Sequence, residues 1–139
     1  MTSVGKKIIV AGTGLCLSGF VLIHMAENML ILVGAQAYNT WAHTLLSFPL
    51  IYVAELGLAA LFIVHMFFAA TLWWTNRTAR PINPLAKADA EKAARFGSTW
   101  MIHTGGLVLL FLIYHLIHFK YGTFYSVTYG GVEMRDLHR

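Results

Sequence analysis

Three histidines sit in the interior of long apolar runs: His24 in Phe20-Val-Leu-Ile-His24-Met25, His65 in Leu61-Phe-Ile-Val-His65-Met66, and His115 in Phe111-Leu-Ile-Tyr-His115-Leu-Ile-His118. An imidazole surrounded by hydrocarbon costs free energy unless something engages it, so each is a candidate functional residue. A neutral imidazole offers one nitrogen lone pair and one N–H, and the lone pair is what haem iron accepts at an axial position. Cys16 is the single cysteine. The chain therefore has no internal disulfide, no Cys-x-x-Cys-His attachment signature and no cysteine cluster for an iron–sulfur centre. Cys16 itself reads as a small buried hydrophobe.

The elements that must hold these histidines follow from composition. Of 139 residues, 58% are hydrophobic and only 12% charged, with a mean hydropathy of +0.63. That is too little charge to cover a water-soluble domain of this size. The apolar residues cluster in runs at about 8–32, 50–74 and 100–119, each close to the ~20 residues that cross a bilayer core as a helix. The expected fold is all-α, an integral-membrane helical bundle of three transmembrane helices forming a single membrane domain over 1–139. An inner loop would span 75–99 and an outer tail 120–139. Lys6 and Lys7 before the first run resemble the start of a secretion signal. The run is longer than a signal core of ~7–15 residues and lacks a cleavage site, so it reads as a true span.

The net charge of +4 is not a nucleic-acid footprint, because the basic residues gather at span ends. Lys6, Lys7, Arg77, Arg80, Lys87, Lys92 and Arg95 fall on one side, and Lys120, Arg135 and Arg139 on the other. The excess on the first side places the N-terminus in the cytoplasm of an inner-membrane, multi-pass protein. Trp41, Trp73, Trp74 and Trp100 near the span ends fit an interfacial aromatic belt. Within the inner loop, Asn83 as N-cap, Pro84 at the first helical position and Gly97 as the stop predict a short charged helix.

A rise of ~1.5 Å per residue converts position into depth. His24 lies roughly 24 Å from the inner end of its span and His115 roughly 21 Å, so these two are level. His65, on a span running the other way, lies roughly 14 Å from its inner end. Two level imidazoles on facing helices satisfy the depth condition for bis-histidine ligation, which selects His24 and His115. His118, one turn beyond His115, is an alternative ligand or a donor to a propionate or quinone carbonyl. His103 and His43 lie nearer the surfaces, as ordinary interfacial or loop histidines or as contacts to a cofactor. Glu27 and Glu55, in the outer half, are either helix-end carboxylates reaching water or groups that exchange protons with a quinone. Gly5, Gly12, Gly14 and Gly19 make a strip of small residues on the first span, as Gly57, Gly105 and Gly106 do on the others. Such a strip serves either close helix packing or the approach of a flat porphyrin.

Several segments together resemble a known family, the di-haem cytochrome b membrane anchor of succinate dehydrogenase and fumarate reductase, in its five-helix single-subunit form. They are Ser3-Val-Gly-Lys-Lys-Ile-Ile-Val, Gly19-Phe-Val-Leu-Ile-His24, Ala37-Tyr-Asn-Thr-Trp-Ala-His43, Glu55 through Val64-His65, and Thr104-Gly105 leading to Tyr114-His115. The resemblance covers nearly the whole chain but only three of the family's five helices, so the sequence reads as a truncated product or one half of a split anchor. It implies that His24 and His115 ligate the haem far from the soluble subunits. His65 would ligate the near haem with a histidine on a fourth helix, which would lie beyond Arg139.

The implied function is a non-catalytic electron-transfer subunit of an oxidoreductase. It would bind one or two haem b groups, anchor a flavoprotein and an iron–sulfur subunit on the inner face, and exchange electrons with quinone within membrane lipid. Arg95, Lys120 or Lys6 would meet haem propionates. Two rivals remain open: the cytochrome b subunit of another quinone-linked dehydrogenase, and a haem-free membrane anchor whose histidines only pack.

Overall fold

The computed structural model describes residues 2–79 and 97–138, with side chains at 97–99 left aside. Helix α1 spans Ser3–Asn28, α2 Ala35–Leu46, α3 Ile51–Thr78 and α4 Gly97–His115; strands β1 Ser126–Tyr129 and β2 Val132–Arg135 follow. The class is all-α, with one small hairpin. Three helical stretches, Ser3–Leu32, Ile51–Thr78 and Trp100–Lys120, are long and apolar enough to cross a membrane, with mean hydropathies of 2.0, 2.0 and 1.7. None of their apolar windows is buried inside the protein. Leu15, Leu22, Leu56, Phe67, Leu107 and Phe111, for example, are all exposed. A face of that character is stable against lipid and unstable against water.

The chain forms two compact units, Met1–Phe68 with Thr123–Arg139, and Ala69–Gly122. In the first, Thr2 caps α1 by accepting a hydrogen bond from the Gly5 N–H at 3.2 Å. The helix tightens into a 3-10 turn over Met29–Leu32 and then breaks at Gly34, whose φ of 142° is open to glycine alone at low cost. The segment around His43, where an ordinary loop histidine is one expectation, folds as α2. Ala35, Gln36 and Ala37 favour helix, and the face carrying Tyr38 and Asn39 is buried.

The polar tail is the second difference from expectation. It forms an antiparallel hairpin pairing Val127 with Met134 and Tyr129 with Val132. Gly130 (φ 59°) and Gly131 (φ 82°) supply the two positive-φ residues of a type I′ turn. Met134 from β2 is buried, and Thr40 of α2 approaches its sulfur at 4.0 Å.

In the second unit, α4 passes into a π-helical turn over Leu116–Lys120. Gly97, read from the sequence as a helix stop, instead opens α4. The helix predicted from Asn83 and Pro84, together with Arg95, lies outside the described residues. Arg77 places its guanidinium 5.4 Å from the centre of the Trp73 ring, a cation–π contact suited to a helix end at an interface.

Candidate functional site

His65 is the histidine with the most defined surroundings. Its ring leans on α1 at Gly14, where no side chain obstructs it. A Cβ built on Gly14 would come within 3.1 Å of His65 Cε1. Beside that gap, Thr13 Oγ1 lies 2.9 Å from His65 Nδ1. Thr13 Oγ1 is also 2.7 Å from the carbonyl oxygen of Ile9, one turn back on its own helix. A carbonyl oxygen only accepts, so the single hydroxyl proton of Thr13 goes to Ile9. His65 Nδ1 must then carry the hydrogen and donate it to Thr13. The neutral ring keeps its lone pair on Nε2, and no hydrogen-bond partner of Nε2 occurs among the described residues.

His24 is held differently. The Asn28 amide nitrogen donates to the His24 carbonyl oxygen at 2.7 Å and approaches His24 Nε2 at 3.3 Å. The Tyr38 hydroxyl donates to Asn28 Oδ1 at 2.8 Å, which fixes the amide with its nitrogen toward His24. Nε2 of His24 is therefore the unprotonated nitrogen, and its lone pair faces an amide N–H. Phe20, one turn earlier, stacks on the ring at 5.4 Å between centroids and 16° between planes. Burial pushes the Tyr38 phenol above its ordinary value, since a phenolate there would lose its water.

The two histidines cannot share one iron. His65 is level with Thr13, and Thr13 precedes His24 by 11 residues on the same helix, roughly 16 Å along the axis. Two axial nitrogens of one haem are only about 4 Å apart. Counting from span ends had separated their depths by less than this. The count sets the inner ends of the two spans level, whereas the Thr13–His65 contact offsets α1 and α3 along their axes.

In the second unit, His115 stands between Phe111 and Phe119, at 5.6 Å and 4.9 Å between ring centroids. Tyr114 lies 4.2 Å from His118, and Trp100 5.3 Å from His103. His43 lies on α2, half-buried, and Ser47 bonds to its backbone carbonyl rather than to its ring. Glu27 and Glu55 are half-buried, on α1 and α3. The side chain that meets the His24 ring is Asn28, the residue after Glu27.

The glycine strip divides. Gly14 is where a side chain from α3 needs room, whereas a Cβ on Gly12, Gly19, Gly57, Gly105 or Gly106 would meet nothing within 4 Å. Close helix packing within the chain accounts for Gly14 alone among these. No cluster of three or more His, Cys, Asp or Glu side chains fit to hold a bare metal ion occurs among the described residues.

Thr13, Asn28 and Tyr38 were not singled out from the sequence. Asn28 was legible in principle, since it stands four residues after His24 and so on the same helix face. Tyr38 and Thr13 meet their partners only through the tertiary fold. No protein-family model matches this chain, and neither a curated protein nor a solved structure shows a significant match to it.

Proposed function

We propose that this chain is a haem b-binding membrane subunit that carries electrons between a soluble dehydrogenase and a membrane quinone. The observation that supports this reading most is the paired placement of His24 and His65. Two neutral imidazoles stand at levels roughly 16 Å apart on apolar, lipid-exposed helices, and one of them presents a free Nε2 lone pair. A merely structural histidine would be expected to use both nitrogens.

The donor chemistry fits haem. His65 needs no rearrangement to offer Nε2. His24 must exchange the long 3.3 Å contact with Asn28 for iron. His115, flanked by two phenylalanines, is a further candidate ligand, and the ligand opposite His65 would come from outside this chain. Haem, when bound, supplies reversible one-electron transfer; the chain's own residues orient the imidazoles and exclude water. Glu27 and Glu55 hold protons for quinone chemistry in this reading. The soluble partners are a flavoprotein and an iron–sulfur subunit of succinate dehydrogenase or fumarate reductase type, docked on the inner face of the cytoplasmic membrane.

A second reading, a haem-free anchor, draws on one fact: Asn28 already occupies the His24 lone pair. The deciding experiment is a reduced-minus-oxidised spectrum of the detergent-extracted complex containing this chain, with extracted haem counted per copy. A b-type band that is lost in His24→Ala, His65→Ala or His115→Ala supports the cytochrome reading. An intact complex with no Soret absorbance overturns it in favour of the plain anchor.

A further inference from the structure

The geometry points to Thr13 as the residue that decides which nitrogen of His65 faces the iron and how strongly that nitrogen donates. This inference rests on the haem reading above and adds to it a positioning residue on the neighbouring helix.

The argument starts from proton counting. Imidazole has two neutral tautomers of similar energy in water, so a ring in hydrocarbon needs a partner to select one. Thr13 can select because its hydroxyl proton is already committed to Ile9 at 2.7 Å, leaving oxygen lone pairs toward His65 at 2.9 Å. A threonine with a free proton could serve as donor or acceptor and would select nothing. The helix carbonyl turns this one into an acceptor. The Gly14 gap completes the device: the ring lies so close over α1 that a methyl group there would sit 3.1 Å from Cε1. Together the missing side chain and the hydroxyl fix both the reach and the rotation of the ring.

The consequence for a bound metal is electronic as well as geometric. An N–H held by an acceptor makes the opposite nitrogen a better electron donor, and partners of this kind typically change metal affinity 10–100-fold when lost. A stronger donor favours the ferric over the ferrous state. Removing the acceptor should therefore raise the midpoint potential of the haem that His65 binds.

The test uses the full chain in its membrane complex. The His65-dependent haem is first identified as the b-type signal lost in His65→Ala. Its midpoint potential and low-temperature EPR g-values are then compared in the unaltered chain, Thr13→Val and Thr13→Ser. The expected result is a higher potential and shifted g-values in Thr13→Val, equivalent to a severalfold or larger change in the ferric-to-ferrous binding ratio, with Thr13→Ser close to the unaltered chain. Loss of that haem in Thr13→Val with retention in Thr13→Ser supports the inference equally. An unmoved potential and unmoved g-values in Thr13→Val overturn it, as does equal loss in both variants. A complex with no haem at all overturns instead the reading on which it rests, and so the two failures are distinct.

Discussion

The amide of Asn39 donates to Asp136 Oδ1 at 2.8 Å while its own carbonyl accepts the Leu137 N–H at 2.9 Å, so one side chain on α2 closes both ends of a polar clasp on the chain's tail. Asn39 has no exposed surface, and it is the only side chain buried to that degree among the described residues. Asp136 Oδ1 also accepts from the His138 N–H at 3.1 Å. A buried amide is stabilising only while its bonds are made, and each unmade one costs about 1–3 kcal/mol. Asn39→Ala is expected to release the hairpin, with amide exchange at Leu137 and Met134 accelerating at least tenfold in hydrogen–deuterium exchange. Asn39→Leu, which keeps volume but not the bonds, should do the same. Unchanged exchange in both would show that the hairpin is held by Met134 rather than by the clasp.

The hairpin turn gives a second prediction. Gly130 and Gly131 both have positive φ, a region costing other L-residues of order 1–2 kcal/mol each, with asparagine the least penalised. Gly131→Val should open the strands, read as lost protection of the Tyr129 and Val132 amides, while Gly130→Asn should be tolerated.

Tyr38 yields a pH dependence. Burial raises its phenol above the ordinary value, which is about 10 in an unfolded chain. The folded group thus releases its proton later than the unfolded one. The stability it contributes is fully present below pH ~10 and is lost as pH rises through the folded value. Tyr38→Phe removes both this alkaline loss and the hydrogen bond to Asn28. The variant should be less stable than the parent near neutrality by about 1 kcal/mol, and the gap should narrow above pH ~10. Thermal unfolding followed by circular dichroism at pH 8 and at pH 10.5–11.5 (values chosen to bracket ~10) checks the crossover. A gap that widens with pH would contradict it.

What was legible in the sequence is what lipid dictates. Runs of apolar residues located all three spans to within a few residues, because crossing a bilayer leaves little choice of element or length. The local surroundings of the histidines were less legible. Phe20 beside His24 and Phe111 beside His115 follow from helical spacing alone. Thr13 against His65 does not, since it depends on how α1 and α3 are placed. The hairpin was missed although Gly130-Gly131 between Val127-Thr-Tyr129 and Val132 carried its signature. A segment dense in tyrosine and glycine reads as a polar tail because each strand is only four residues long and gains its partner only across the turn.

The glycines of α1 permit a sharper separation than their shared spacing suggests. Gly5, Gly12 and Gly19 are seven residues apart and fall on one helix face, whereas Gly14 falls on the face that meets His65. If Gly14 serves the approach of the His65 ring, a large side chain there must displace the ring or part the helices. At Gly12 and Gly19 the same side chain enters open space, and exchanging glycine for leucine in a helix interior is favourable by roughly 0.5–1 kcal/mol. Gly14→Leu is therefore expected to lower the thermal transition of the detergent-solubilised chain and to break the Thr13–His65 contact. The second effect is visible as a shift of the His65 ring resonances in a nitrogen-15 histidine-labelled sample. Gly12→Leu and Gly19→Leu should leave those resonances in place and hold or raise the transition. A drop in stability from Gly12→Leu comparable to that from Gly14→Leu would mean that both faces of α1 are packed within the chain, contrary to the open space above Gly12.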